Sequence, residues 1–165
     1  MTNLSLALSL LSDNQTLEIS PNGYSMCPFF LGGRDTVYIT QPSFPLKRGD
    51  IAVYKRNLAE DERYIIHRIH HLEQTTTGTL YYMLGDNQIQ IEGPINESQI
   101  HGVALQIKRK GKLIDCKTNH FYRFTSKLWL LIRPIRPIFI RIWLTFMPSI
   151  HRMQRADILK NARKK

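Results

Sequence analysis

The spacing of apolar and polar positions divides the chain into three textures. Residues 3 to 12 set Leu4, Leu6, Leu8, Leu10 and Leu11 among Ala and Ser, a stretch too short to span a bilayer and read as a short packing helix. From Thr16 to about Lys110 the apolar residues fall in short or alternating runs at 17–19, 36–39, 51–54, 64–69, 80–84 and 102–107. Runs of this length, separated by turn residues, predict strands. The punctuation is Pro21-Asn22-Gly23, Gly32-Gly33, the Pro45 to Asp50 stretch, Glu60-Asp61-Glu62, residues 75–78 and Gly85-Asp86-Asn87. Many strands and few helices imply a mainly β fold, a compact β domain over residues 1–115. From His120 to Met147 the chain turns to aromatics and long aliphatics crossed by Arg123, Lys127, Arg133, Arg136 and Arg141. Pro134 and Pro137 interrupt this stretch, predicting a helical but kinked extension over residues 116–165.

Length and composition narrow the class. The 165 residues are about one domain's worth, and 42% hydrophobic with 22% charged residues is ordinary globular usage. Charge is distributed unevenly. Residues 1–107 hold 7 Lys/Arg against 11 Asp/Glu, whereas residues 108–165 hold 16 against 2. Such asymmetry suits nucleic acid, an anionic membrane surface or simply a solvated tail. Three arginines between Leu128 and Pro148 would each cost about 2.5–3.5 kcal/mol near a bilayer centre, which disfavours a transmembrane helix. An amphipathic helix in the interface accommodates them, with Trp129, Phe139, Trp143 and Phe146 at the headgroup boundary. The competing reading is a helical hairpin folded over the β domain.

Cys27 and Cys116 lack C-x-x-C spacing, so neither a zinc site nor a redox pair is indicated, and a reducing compartment fits. The first basic residue is Arg34, and serines interrupt the early apolar run, so the start lacks the pattern of a secretory signal. These features place the expected location in the cytoplasm, peripheral at the inner face of the membrane.

Three segments carry residue types suited to hydrolysis. Ser25 lies in Gly23-Tyr24-Ser25-Met26-Cys27-Pro28, between a turn signal and a conformationally restrictive proline. His67 interrupts the apolar run of Tyr64-Ile65-Ile66-His67-Arg68-Ile69. Asp86 stands at the strand-to-turn junction Leu84-Gly85-Asp86-Asn87. A serine hydroxyl needs a neighbouring base, and imidazole serves near neutral pH. Cys27 has no activating neighbour in sequence. His70, His71 and His101 raise a metal alternative, but His67 and His71 on a strand are too far apart to chelate easily.

Taken in order, Ser25 to Pro28, Arg48 to Val53, His67 to Ile69 and Gly85 to Asn87 resemble the boxes of type I signal peptidases and their LexA-like relatives among serine peptidases. Residues 99–103 resemble the strand that closes that domain. The resemblance implies a signal-peptidase-like β core with Ser25 as nucleophile and His67 as general base, the Ser-His branch of the family. Asp86 matches an acidic residue proposed to orient the histidine, and Glu92 stands where that branch often has a second aspartate, leaving the third catalytic group open. Met26 and Pro28 would border the substrate pocket. The backbone N–H of Ser25 would be one oxyanion donor, and Gly23 stands where many relatives have a hydroxyl donor. The implied activity is a serine endopeptidase removing a leader or signal-like segment from a peptide or small protein, with no cofactor and no metal.

The 24 residues before Ser25 read as too few for the membrane span of housekeeping signal peptidases or the helix-turn-helix of self-cleaving repressors. They suggest the small cytoplasmic form of the family and disfavour nucleic acid as partner. The expected partners are a peptide or small-protein substrate and an anionic membrane surface met by the C-terminal extension. The alternative is a non-catalytic peptide-binding or membrane-docking module built on a peptidase core.

Overall fold

The computed structural model describes residues 3–12, 15–58, 61–136 and 138. Among them the chain is mainly β, a curled antiparallel sheet with a short N-terminal helix. Helix α1 covers Asn3–Ser9. Strands β1 (Leu17–Ile19), β2 (Thr36–Thr40), β3 (Ile51–Leu58), β4 (Asp61–Thr75), β5 (Gly78–Leu84), β6 (Glu92–Asn96), β7 (Ile100–Arg109) and β8 (Lys112–Asp115) follow, and helix α2 covers His120–Leu131. The sheet runs β1-β2-β7-β3-β4-β5-β6, with β8 paired to β7. Strand β7 receives β2 along one edge, while β3 takes the first part of its other edge and β8 the last part.

All six expected runs form strands. Of the acidic run expected as a turn, Asp61 and Glu62 already belong to β4. Two strands, β6 and β8, lie outside the expected runs.

Strand alternation sorts the side chains to two faces. Ile51 and Val53 join Val37, Ile39, Ile107, Met26, Phe29 and Phe30 in one cluster, onto which Leu8 and Leu11 pack from the N-terminal segment. Ala52 and Tyr54 join Ile69, Tyr81, Met83 and Val103 in the other. Strand β4 follows the same rule: Ile66 packs with the first cluster, Ile65 and Ile69 with the second. His67 and Arg68 therefore lie back to back.

Arg68 is fully buried and engages Asp86, which is also fully buried. Its Nε donates to Asp86 Oδ1 at 2.9 Å and its Nη2 to Oδ2 at 2.8 Å. Nη1 donates to the Gly49 carbonyl at 2.8 Å, inside the turn that starts β3. The guanidinium lies 4.8 Å from the Phe29 ring centroid and 5.7 Å from that of Tyr122. Burial lowers the Arg68 pKa, but the Asp86 charge and its hydrogen bonds outweigh this and hold it above the ordinary arginine value.

Helix α2 begins at Asn119, whose Oδ1 caps the Tyr122 N–H at 2.8 Å. It ends before a single 3₁₀ turn, Arg133–Ile135, that accommodates Pro134. Tyr122, Ser126 and Leu130 are buried, and Tyr122 belongs to the first core cluster. Trp129, expected at a headgroup boundary, instead faces inward: its Nε1 donates to the Asp86 carbonyl at 2.8 Å, and its ring meets Phe29 edge-on at 6.3 Å. Phe139, Arg141, Trp143 and Phe146 lie outside the described residues. Among the described residues, no helix is long and apolar enough to cross a membrane.

Removing one partner of a buried ion pair strands the other charge. Arg68→Met should lower unfolding stability by about 3–5 kcal/mol, read from urea denaturation. Because the two groups act as a unit, Arg68→Met combined with Asp86→Leu should cost clearly less than the sum of the single changes; additive losses would contradict this account.

Candidate functional site

Ser25 sits on a tightly folded loop. Gly32 N–H donates to the Gly23 carbonyl at 2.8 Å, Cys27 N–H to Tyr24 at 3.0 Å and Phe29 N–H to Met26 at 3.1 Å. A Cβ on Gly32 would lie 2.5 Å from the Gly23 carbonyl oxygen, so the crossing requires glycine. Across the site, Asn87 N–H donates to the Ser25 carbonyl at 2.7 Å. A Cβ on Gly85 would come within 2.9 Å of that same oxygen. The Gly85-Asp86-Asn87 turn thus fixes the serine loop through its backbone.

Ser25 and His67 line one cleft of about 340 Å³, together with Ile19, Pro21, Arg56, Ile66, Gln88 and others. Ser25 is half-buried and His67 buried. No hydrogen bond joins their side chains among the described residues. Gln88, which the sequence reading did not single out, also lines this cleft.

The contacts of His67 define its tautomer. Tyr54 Oη donates its single proton to Glu92 Oε2 at 2.5 Å, leaving its lone pairs for the imidazole. His67 Nδ1, 3.2 Å from Tyr54 Oη, is therefore the donor of that bond, and Nε2 holds the free lone pair. Glu92 Oε1 stands 3.6 Å from Nδ1, and Glu92 also forms an ion pair with Arg56.

Burial pushes the His67 pKa down to about 4; the Glu92 charge opposes this and Arg56 adds to it. Burial raises the Glu92 pKa, but hydrogen bonds from Tyr54 and Arg56 outweigh it and hold the carboxyl below its ordinary value. Burial lifts the Tyr54 pKa, and the adjacent carboxylate lifts it further. At neutral pH the arrangement is a neutral imidazole, a neutral phenol and a carboxylate.

Three expectations differ from the observed placement. Asp86 engages Arg68 with both carboxylate oxygens, on the face opposite the His67 ring, so Glu92 is the carboxylate beside Nδ1. Met26 is 2% exposed and part of the core, and neither it nor Pro28 lines the cleft that Ser25 and His67 share. Tyr54, between the imidazole and Glu92, was not singled out; its position on β3, diagonal to His67 with Ala52 opposite the histidine, carries the signal.

Cys27 is buried, and desolvation pushes its thiol up to about 12, far from a thiolate. The histidines weighed as further metal ligands fall in two separate places. His70 Nδ1 lies 2.8 Å from His71 Nδ1, His71 stacks on Tyr82, and His101 meets Tyr64 edge-on. Among the described residues no group of three or more His, Cys, Asp or Glu converges on a metal position. Comparison with protein-family models, curated proteins and solved structures finds no match.

Because the folded pKa of His67 is below its unfolded value, protons bind preferentially to the unfolded chain. The stability contributed by the neutral ring is fully present above about pH 6.5 and is lost as pH falls toward the folded value of about 4. NMR titration should show His67 neutral through pH 5, and Glu92→Gln should depress its pKa further, since the carboxylate raises it. A midpoint near 6.5 in the folded protein would contradict the burial argument.

Proposed function

We propose that the chain is a serine endopeptidase of the signal-peptidase-like, Ser-His kind, cleaving a leader or signal-like segment from a peptide or small protein. The observation that carries the reading is that Ser25 and His67 line one cleft while Tyr54 and Glu92 hold the far nitrogen of the imidazole. In this mechanism His67 Nε2 accepts the Ser25 hydroxyl proton as Oγ attacks the scissile carbonyl. The proton then passes to the leaving amine, and water hydrolyses the acyl-enzyme by the reverse sequence of proton transfers.

A buried imidazole with pKa near 4 is unprotonated at neutral pH and so available as acceptor. Its weak basicity is offset during reaction, because the imidazolium forms beside the Glu92 carboxylate, linked through Tyr54. The Ser25 backbone N–H would serve as one oxyanion donor. The order of boxes from Ser25 to Asn87 supports the family assignment, with Asp86 reassigned from orienting the histidine to fixing the serine loop.

The substrate strand would enter along β1, the terminal strand of the sheet, whose Ile19 lines the cleft. Main-chain pairing at that edge would supply affinity, and the apolar walls Leu4, Ile19, Val53 and Ile66 would select small apolar side chains.

Mass-spectrometric profiling of a diverse peptide library, with anionic vesicles present, tests this directly. Wild type should cleave, and Ser25→Ala or His67→Ala should lose more than about 10⁴-fold in kcat. Glu92→Gln should lower kcat by about 10²-fold with little change in KM, whereas Asp86→Asn should lower activity in step with folded fraction. Capture of peptides without cleavage, equal in wild type and Ser25→Ala, would overturn the enzyme in favour of a binding module.

For the active wild type, kcat/KM should keep its value as pH falls through 6.5 and decline only toward the His67 pKa of about 4. An acid limb centred in the ordinary histidine range would contradict the assignment of His67 as the buried base.

A further inference from the structure

We infer that the outward face of α2 is a docking surface for an anionic lipid bilayer. Phe121, Phe124, Leu128 and Leu131 recur at steps of three, four and three residues, placing them along one side of α2, and Ile135 and Ile138 beyond the helix end are exposed as well. They face solvent: Phe121 is 78%, Phe124 66% and Leu131 72% exposed. The opposite side carries Tyr122, Ser126 and Leu130, already buried against the sheet. The helix is thus apolar on two faces, only one of which the fold covers.

Charge identifies the occupant of the other. Exposed Arg123 and Lys127 border the stripe, and α2 contains no acidic residue. A second copy seated on the stripe would bring these cations to the seam without the flanking carboxylates that a helical pair uses. A bilayer with anionic headgroups supplies an apolar interior for the stripe and countercharge for its border. Residues 139–165 add seven Lys/Arg against one Asp to the same end of the chain.

The surface also has a fixed relation to the candidate site. Trp129 on α2 donates to the Asp86 carbonyl, and Arg133 just beyond it donates twice to the Ile89 carbonyl, at 2.7 and 3.1 Å. The lipid-bound helix would hold the 85–89 loop, and through Asn87 the Ser25 loop, beside the membrane. The lipid contact itself does not depend on the peptidase reading, although a membrane-apposed substrate would follow from the two together.

The test is co-sedimentation of the full chain with vesicles of phosphatidylcholine alone or of equimolar phosphatidylcholine and phosphatidylglycerol, across a range of salt. Wild type and Ser25→Ala should both sediment with the anionic vesicles, weakly or not at all with the neutral ones, and less as salt rises. Phe121→Ser with Phe124→Ser and Leu128→Ser should weaken binding by about tenfold or more. Arg123→Gln with Lys127→Gln, which leaves every buried contact of α2 in place, should weaken it by a few-fold and flatten the salt dependence.

Unchanged binding in both variants would overturn the proposal, as would failure of wild type to bind anionic vesicles. A wild-type dimer in sedimentation equilibrium that the apolar variant abolishes, without vesicle binding, would assign the stripe to a second copy instead. Binding to duplex DNA but not to vesicles would likewise overturn it. Since sedimentation reads binding without cleavage, an inactive but vesicle-binding protein would refute the peptidase and leave this surface standing.

Discussion

The ion pair between Arg68 and Asp86 is the constraint around which the structure is arranged. Two opposite charges without solvent contact persist only when their hydrogen-bonding groups find partners. Here the partners come from separate parts of the chain: the carboxylate from the 85–87 turn, a carbonyl from the turn before β3, and aromatic rings from the serine loop and α2. Satisfying one guanidinium therefore gathers four segments. The Ser25 loop is among them twice, through Phe29 and through the bond from Asn87 N–H to its carbonyl. The position of the candidate nucleophile is thus coupled to an ion pair that takes no part in the proposed proton transfers.

The opposite face of β4 is governed by a different balance. Desolvation keeps the His67 ring neutral, while Glu92 remains ionised because Tyr54 and Arg56 both donate to it. Each acid has its own basic neighbour, and the sheet separates the two sets. This separation lets one strand hold a permanently charged structural group beside a group whose proposed work requires it to change charge.

The strands were legible in the sequence where alternation was strong and turn residues framed it. Strand β6 was not, because its Glu92-Gly93-Pro94-Ile95-Asn96 run contains Gly and Pro and buries only Ile95. Strand β8 is four residues long with two exposed and two half-buried positions, so it carries little hydrophobic signal. The box order brought Ser25 and His67 forward together, and both line one cleft. Their acidic companion was harder to read: Asp86 and Glu92 are both near His67 in sequence pattern, and only the face of the sheet each one reaches separates them. The same difficulty applies to Trp129 and Met26, whose amphipathic or apolar character fits a surface and a core equally well until the neighbouring elements are placed.

The back-to-back placement of His67 and Arg68 makes pairing register a determinant of chemistry as well as of packing. A one-residue slip in this part of β4 would carry the guanidinium toward Tyr54 and Glu92 and the imidazole toward Asp86, exchanging a permanent cation for a proton acceptor. Ala52 pairs with His67, and a single insertion between Tyr64 and His67 carried through as a register shift inverts the two sides. The few residues before His67 are therefore subject to a parity rule: additions there preserve the arrangement only in pairs.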